Sequence, residues 1–423
     1  MVRRASALQL SDCASALDAA LVTEDLLPLY RTLLADEQDS VRVNALKSTP
    51  KICELIGGLR KEVLDPQAGN FKACVKDMSW RVRVACADVI GEVAAACKSD
   101  AEALELVKEH YKTLQEDNEA EVQVATALKS ARATAVLGAE FGKTTIFPNL
   151  KALVLDANTA KRLELSGVVM DMAAPLGKAL ALELVMPCMR ELISEKDDQP
   201  DLTNIRLAII NKIASFVDVV GTTSDDPKQP NDTVKMIKEL AATKNWRVRH
   251  AVLRQLPKFA KIMGEATFTS EFAQSISGTE FGAMDEYALI RTDWVYTMGE
   301  IAEGGFGASW LSKHIVPVLE ACKKEKKYQK KAVLLDGAAM LCGLLPTDDL
   351  MTKLMPLVLE LCDEKVANLR VDAMKCLKEV CAVVPSDYKK SQIVPKLNEK
   401  LTDPAEDPDV KFFAEDALKQ AEA

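Results

Sequence analysis

Three groups of residues in this chain approach the patterns that chemistry needs. Gly138-Ala139-Glu140-Phe141-Gly142-Lys143-Thr144 resembles a phosphate cradle, in which backbone N–H groups and a lysine hold phosphates. That loop requires four residues between its glycines and a strand before it, whereas here there are three and the preceding pattern is helical. The segment therefore reads as a helix-ending glycine followed by a turn. Gly304-Gly305-Phe306-Gly307 lacks the spacing of a dinucleotide loop and reads as a turn for the same reason. The eleven cysteines include no C-x-x-C pair, and the three histidines, His110, His250 and His314, are scattered, so no zinc set can be written. Cys53, Cys86 and Cys376 fall at apolar helical positions and read as small buried hydrophobes in a reducing compartment. No nucleophile and base stand at a usable spacing, and no carboxylate pair marks a pocket. The expectation is a non-catalytic chain without cofactor or metal.

A different chemistry remains, that of binding. Trp80-Arg81 and Trp246-Arg247 each put an aromatic beside a guanidinium at the start of a helical pattern, the residue types that most often anchor interfaces. The elements that position them repeat along the chain. A hydrophobic-basic pair recurs every 39 to 44 residues, with the basic member at Arg3, Arg42, Arg83, Arg206, Arg249, Arg291, Arg370 and Lys411 and degenerate rungs at Gln123, Arg162 and Lys331. An acidic residue precedes the rung by six positions at Asp36, Asp77, Asp117, Asp156, Asp285, Glu325 and Glu364, and a proline by fourteen at Pro28, Pro148, Pro317 and Pro356. Each unit thus reads as a proline-bearing helix, an acidic turn and a second helix that opens on the basic residue. A helical period near 40 predicts an all-α HEAT-repeat α-solenoid, a curved superhelix of antiparallel helix pairs. We expect one solenoid over 1–423, with a half repeat at 1–22, about ten full repeats over 23–423, and the last five over 240–423.

Composition agrees: 48% of residues are hydrophobic but only 5% are aromatic, which suits thin helical layers. The net charge of −9 argues against a sequence-independent grip on nucleic acid. Lys323-Lys324-Glu325-Lys326-Lys327 reads as a solvated turn. No apolar run is long enough to span a membrane, and Asp12 and Asp18 interrupt residues 1–20, which do not read as a signal peptide. Polar, proline-bearing stretches at 195–201 and 221–231 lengthen two repeats and read as exposed loops. The cytoplasm is the expected location, with the nucleus a second.

The wording of the turns adds a resemblance. Asp36-Glu37-Gln38-Asp39-Ser40-Val41-Arg42, Ser79-Trp80-Arg81-Val82-Arg83, Asn245-Trp246-Arg247-Val248-Arg249, Val366-Ala367-Asn368-Leu369-Arg370 and the segment from Asp407 to Leu418 resemble the scaffolding (A) subunit of protein phosphatase 2A. The likeness is collinear over the chain and weakest over residues 144–240. It implies that the last five repeats hold the phosphatase catalytic subunit on their turns, through Trp246, Arg247, Asp285, Glu286, Tyr287, Lys327, Tyr328, Gln329, Val366, Asn368 and Asp409. It also implies contacts to a regulatory B-type subunit at Asp36, Glu37, Asp39, Trp80 and Arg81. Arg42, Arg83, Arg206, Arg249, Arg291 and Arg370 read instead as a structural ladder paired with turn carboxylates. The family has fifteen repeats and this chain matches the sixth to the fifteenth, which implies an amino-terminally short form, prone to associate and weakened in regulatory-subunit binding. The rival expectation is a HEAT-type transport receptor or adaptor that binds cargo and a small GTPase, with Asp197-Asp198 and Asp225-Asp226 as its acidic candidates.

Overall fold

The computed structural model describes residues 2–65, 71–156, 159–194, 202–222, 231–273 and 282–422. Among them every regular element is helical. The fold is all-α, of the HEAT-repeat solenoid type. By packing, the chain groups into two compact units, Met1–Gly221 and Thr222–Ala423. The expected loop at 195–201, most of that at 221–231, and the pairs Asp197-Asp198 and Asp225-Asp226 lie outside the described residues.

Proline shapes the first helix of many pairs in one way. A proline within a helix lacks an N–H and crowds the carbonyl four residues back. Before Pro28 the chain widens by one residue per turn, so that Leu27 N–H bonds the carbonyl of Val22, five positions earlier. The same π-type turn precedes Pro148, Pro317 and Pro356. It also precedes Pro187 and Pro395, which are out of phase with the other four in sequence. The second helices Asp39–Leu46, Trp80–Ala96, Ala288–Ile301 and Ala367–Val380 start three residues after the acidic turn residue, and Trp246–Leu253 starts three after Thr243 at the same phase. Their apolar faces pack with those of the neighbouring helices to form the core, where Tyr30, Phe71, Tyr111, Phe259 and Trp294 are fully enclosed. Gly138 ends the helix Ser130–Leu137 at a φ of 98°, and a Cβ on Gly142 would lie 2.4 Å from the Thr134 side chain. The glycines of the apparent phosphate loop therefore serve a turn and a close packing contact.

Most of the basic rungs tie one turn to the next, and the others brace their own turn. In the first unit, Arg42 donates to the Asp36 carbonyl at 2.6 Å and pairs with the Asp77 carboxylate at 2.8 Å. Arg83 donates to the Asp77 carbonyl at 2.7 Å and forks onto both Asp117 oxygens at 2.6 and 3.0 Å. In the second unit, Arg249 donates to the Thr243 and Lys244 carbonyls, each at 2.9 Å, and forks onto Asp285 at 2.9 and 3.0 Å. Arg291 donates to the carbonyls of Asp285 and Glu286, and Arg370 joins the Glu364 carbonyl to Glu406. Arg206 donates to the Ile193 carbonyl at 2.9 Å. The degenerate rung Lys331 still pairs with Glu364, and the neutral Gln123 keeps the bond to its own turn, at the Asp117 carbonyl.

The carboxylates are occupied a second time. Asp77, Asp117 and Asp285 each accept the N–H two residues on, at 2.8 to 2.9 Å, which fixes the turn before the second helix. Partial burial pushes the Asp117 carboxyl up, but Arg83 and the N–H groups of Glu119 and Asn118 outweigh it and hold it below its ordinary range. The Arg249 and Asp285 side chains are only 9% and 0% exposed. Arg249→Met should therefore strand a buried carboxylate and cost the second unit about 3–5 kcal/mol in denaturant unfolding. Adding Asp285→Leu should recover much of that loss.

Candidate protein-docking surface

Arg249 and Arg291 hold the Asp285 turn from both sides, so the residues beside it are presented at fixed places. Asn245 accepts from the Arg247 N–H at 3.0 Å and starts the helix Trp246–Leu253. This places the half-buried Trp246 ring against Tyr287 of the next turn, stacked with centroids 5.5 Å apart and planes 22° from parallel. Tyr287 remains 46% exposed. The Arg247 guanidinium lies 5.0 Å from the Trp246 centroid and that of Arg249 lies 5.7 Å from the Tyr287 centroid. His250 Nε2, one helical turn on from Trp246, is 2.6 Å from Asp293.

The ridge continues along the second unit. Glu286 is exposed and joins Lys327 at 2.7 Å, and that lysine holds the Glu286 carboxyl below its ordinary range. Lys327, Tyr328, Gln329, Asn368 and Asp409 are exposed, and Val366 is half-buried. Asp285 departs from the expectation. It is fully buried and takes the Arg249 guanidinium, so its place is in the ladder. In the first unit Trp80 is 38% exposed, with the Arg81 guanidinium 4.9 Å from its centroid. Glu37 is exposed, and Asp39 accepts from the Ser79 hydroxyl at 3.2 Å. Asp36 also moves to the ladder: its side chain is 5% exposed, pairs with Arg3 at 3.3 Å and accepts the Gln38 N–H at 2.9 Å.

Sequence reading missed a groove between second helices of the second unit. Tyr328–Leu341, Ala367–Val380 and Pro408–Glu422 enclose about 260 Å³ lined by Asp336, Asp372, Lys375, Lys378, Phe413 and Asp416. Lys375 lies 3.7 Å from Asp372 and 4.6 Å from the Phe413 centroid, and Lys378 lies 2.7 Å from Asp416. Burial and the nearby Asp372 charge push the Asp336 carboxyl up to about 6. Its alternation with helical apolar residues gave no sign of this, because the second carboxylate comes from another repeat. Among the described residues no group of three or more His, Cys, Asp or Glu side chains could hold a metal ion, and no helix is long and apolar enough to cross a membrane.

No protein-family model matches the chain, and no curated protein matches it either. Solved structures do resemble it. They include Kap95p in a structure concerned with RanGDP (13% identity, TM-score 0.57, 99% of this chain and 54% of that one). Importin beta in an ammonium sulfate condition gives 13% identity and a TM-score of 0.54 over 99% of this chain and 54% of that one. Kap121p bound to Nup53p gives 11% and 0.50 over 94% and 45%. The chain spans about half the length of these structures. At such identities the likeness is one of fold.

Asp336 yields a pH test. Its carboxyl is raised in the folded chain, so its stabilising contribution is complete below the ordinary 3.8 and is lost as pH rises through about 6. Asp336→Asn, which stays neutral, should melt higher than the wild type at pH 7.5, and the difference should vanish near pH 4. Thermal unfolding at the two pH values checks both halves of this expectation.

Proposed function

We propose that this chain is a non-catalytic scaffold that docks a folded partner on the turn ridge of residues 240–423. The observation that carries the reading is the Trp246–Tyr287 stack, an aromatic pair bridging two consecutive turns and edged by Arg247 and Glu286. Partly exposed aromatics with a flanking guanidinium supply contact area at little cost in conformational entropy. The partner in this reading is the protein phosphatase 2A catalytic subunit, which the scaffold positions relative to a regulatory subunit. The resemblance of the turn sequences supports that choice. Trp246, Arg247, Glu286, Tyr287, Lys327, Tyr328, Gln329, Val366, Asn368 and Asp409 would meet the catalytic subunit, and Glu37, Asp39, Trp80 and Arg81 the regulatory one. The site of action would be the cytoplasm, with the nucleus second.

A second reading has its own support. The named solved structures include one of Kap95p concerned with RanGDP and one of Kap121p bound to Nup53p, and these comparisons favour a transport receptor that binds a small GTPase and cargo. The two readings share the fold and differ in the occupant of the ridge.

Parallel titrations of the purified chain against a protein phosphatase 2A catalytic subunit and against a GTP-loaded Ran-type GTPase separate them. Binding to the phosphatase is expected, and Trp246→Ala should weaken it ten-fold or more, about 1.4 kcal/mol or greater. Binding to the GTPase alone would overturn the phosphatase reading and put the transport receptor in its place.

A further inference from the structure

We propose that the groove among the second helices Tyr328–Leu341, Ala367–Val380 and Pro408–Glu422 is a docking site for an arginine of a partner protein, whose guanidinium takes the unpaired carboxylate of Asp336. The site lies on helix faces and not on the turn ridge, so the inference holds whichever partner occupies that ridge. The first of these helices packs on the second and the second on the third, and the groove therefore joins three successive repeats.

Many second-helix carboxylates meet a cation of their own or the neighbouring repeat. In the first unit Asp88 faces Lys129 at 3.9 Å, Glu92 faces Arg132 at 2.7 Å, and Asp171 pairs with Lys212. In the second unit Asp293 meets His250 at 2.6 Å, Glu300 meets Arg254 at 3.8 Å, Asp372 meets Lys375 at 3.7 Å and Asp416 meets Lys378 at 2.7 Å. Asp336 breaks the pattern. Among the described residues no hydrogen bond or ion pair reaches its side chain. Exposed carboxylates such as Glu379 are left to water, but Asp336 is half-buried and is hydrated less.

A half-buried carboxylate without a partner weakens the fold. Burial and the Asp372 charge accordingly push this carboxyl up to about 6. Nothing within the chain offsets that cost. A group that destabilises the fold and pairs with nothing inside it fits a role toward something outside it.

The missing cation has a definable chemistry. Around the groove the carboxylates of Asp336, Asp372, Glu379 and Asp416 stand against the ammonium groups of Lys375 and Lys378, four negative charges to two positive. Both lysines are engaged, Lys378 with Asp416 and Lys375 with Asp372 and the Phe413 ring. The space of about 260 Å³ admits a side chain. A guanidinium suits it better than an ammonium, because it is planar, weakly hydrated and carries five donors, enough for Asp336 and for the neighbouring Asp372 together. Met340, one helical turn beyond Asp336, is 43% exposed and offers an apolar contact beside the groove. The occupant is thus an arginine with an apolar neighbour.

The test titrates the full chain, carrying ¹³C-labelled leucine and alanine methyl groups, with acetylated and amidated Gly-Leu-Arg-Leu-Gly. A second peptide has citrulline in place of the arginine, which keeps the shape and removes the charge. The arginine peptide should give saturable shifts of the Leu335 and Ala339 methyl signals, which line the groove, and the citrulline peptide should bind ten-fold or more weakly. Affinity should rise from pH 5 to pH 7.5 as Asp336 ionises in the company of Asp372, Lys375, Lys378, Glu379, Asp416 and Arg291. Asp336→Asn should lose the preference for arginine and the rise with pH while melting no lower than the wild type at pH 7.5, so that lost binding is not lost folding. Asp336→Glu, which keeps the charge, should retain the preference. Absence of a saturable shift with the arginine peptide, equal binding of the citrulline peptide, or unchanged binding by Asp336→Asn would overturn the proposal.

Discussion

The guanidinium that joins two turns is the interaction on which this structure depends. In Arg83 one nitrogen holds the carbonyl of its own turn while two others take the carboxylate of the next, and Arg249 does the same. That carboxylate also caps the amide two residues on, so each acid closes its own turn and receives the neighbouring repeat. An exposed ion pair of this type contributes about 0–1 kcal/mol. The Arg249–Asp285 pair is almost fully enclosed and carries hydrogen bonds on both partners, so disrupting it is far more costly.

Display follows from this constraint. A turn pinned on both sides cannot swing its flanking residues, so Trp246 meets Tyr287 at stacking distance and Glu286 meets Lys327. A ridge that is ordered before its partner arrives loses less freedom on binding. Polar chemistry is thereby separated by depth: the rung arginines and their acids lie beneath, and the aromatics, lysines and Glu286 lie above.

Much of this was legible in sequence because a solenoid writes its period into the chain. The rungs, the acidic turns and four of the prolines marked where helices begin and turns fall. Pro187 and Pro395 lie outside that phase because the register slips in both of those repeats, by a long insertion in the case of Pro187. Asp36 and Asp285 read as surface residues because an acidic turn residue has the same identity whether it faces water or an arginine. Only packing distinguishes the two. The Trp246–Tyr287 stack spans 41 positions and the Asp336–Asp372 juxtaposition 36, and no local pattern reports contacts made between neighbouring repeats.

The proposal at the centre is that a folded partner sits on the turns of residues 240–423. Hydrogen–deuterium exchange on the full chain, with and without a saturating protein phosphatase 2A catalytic subunit, tests it most directly. Slowed exchange is expected, concentrated in the turn amides around residues 244–250, 285–291, 326–331, 365–370 and 407–411. Slowing confined to helices away from these turns, with the Trp246 and Tyr287 segments unchanged, would contradict it.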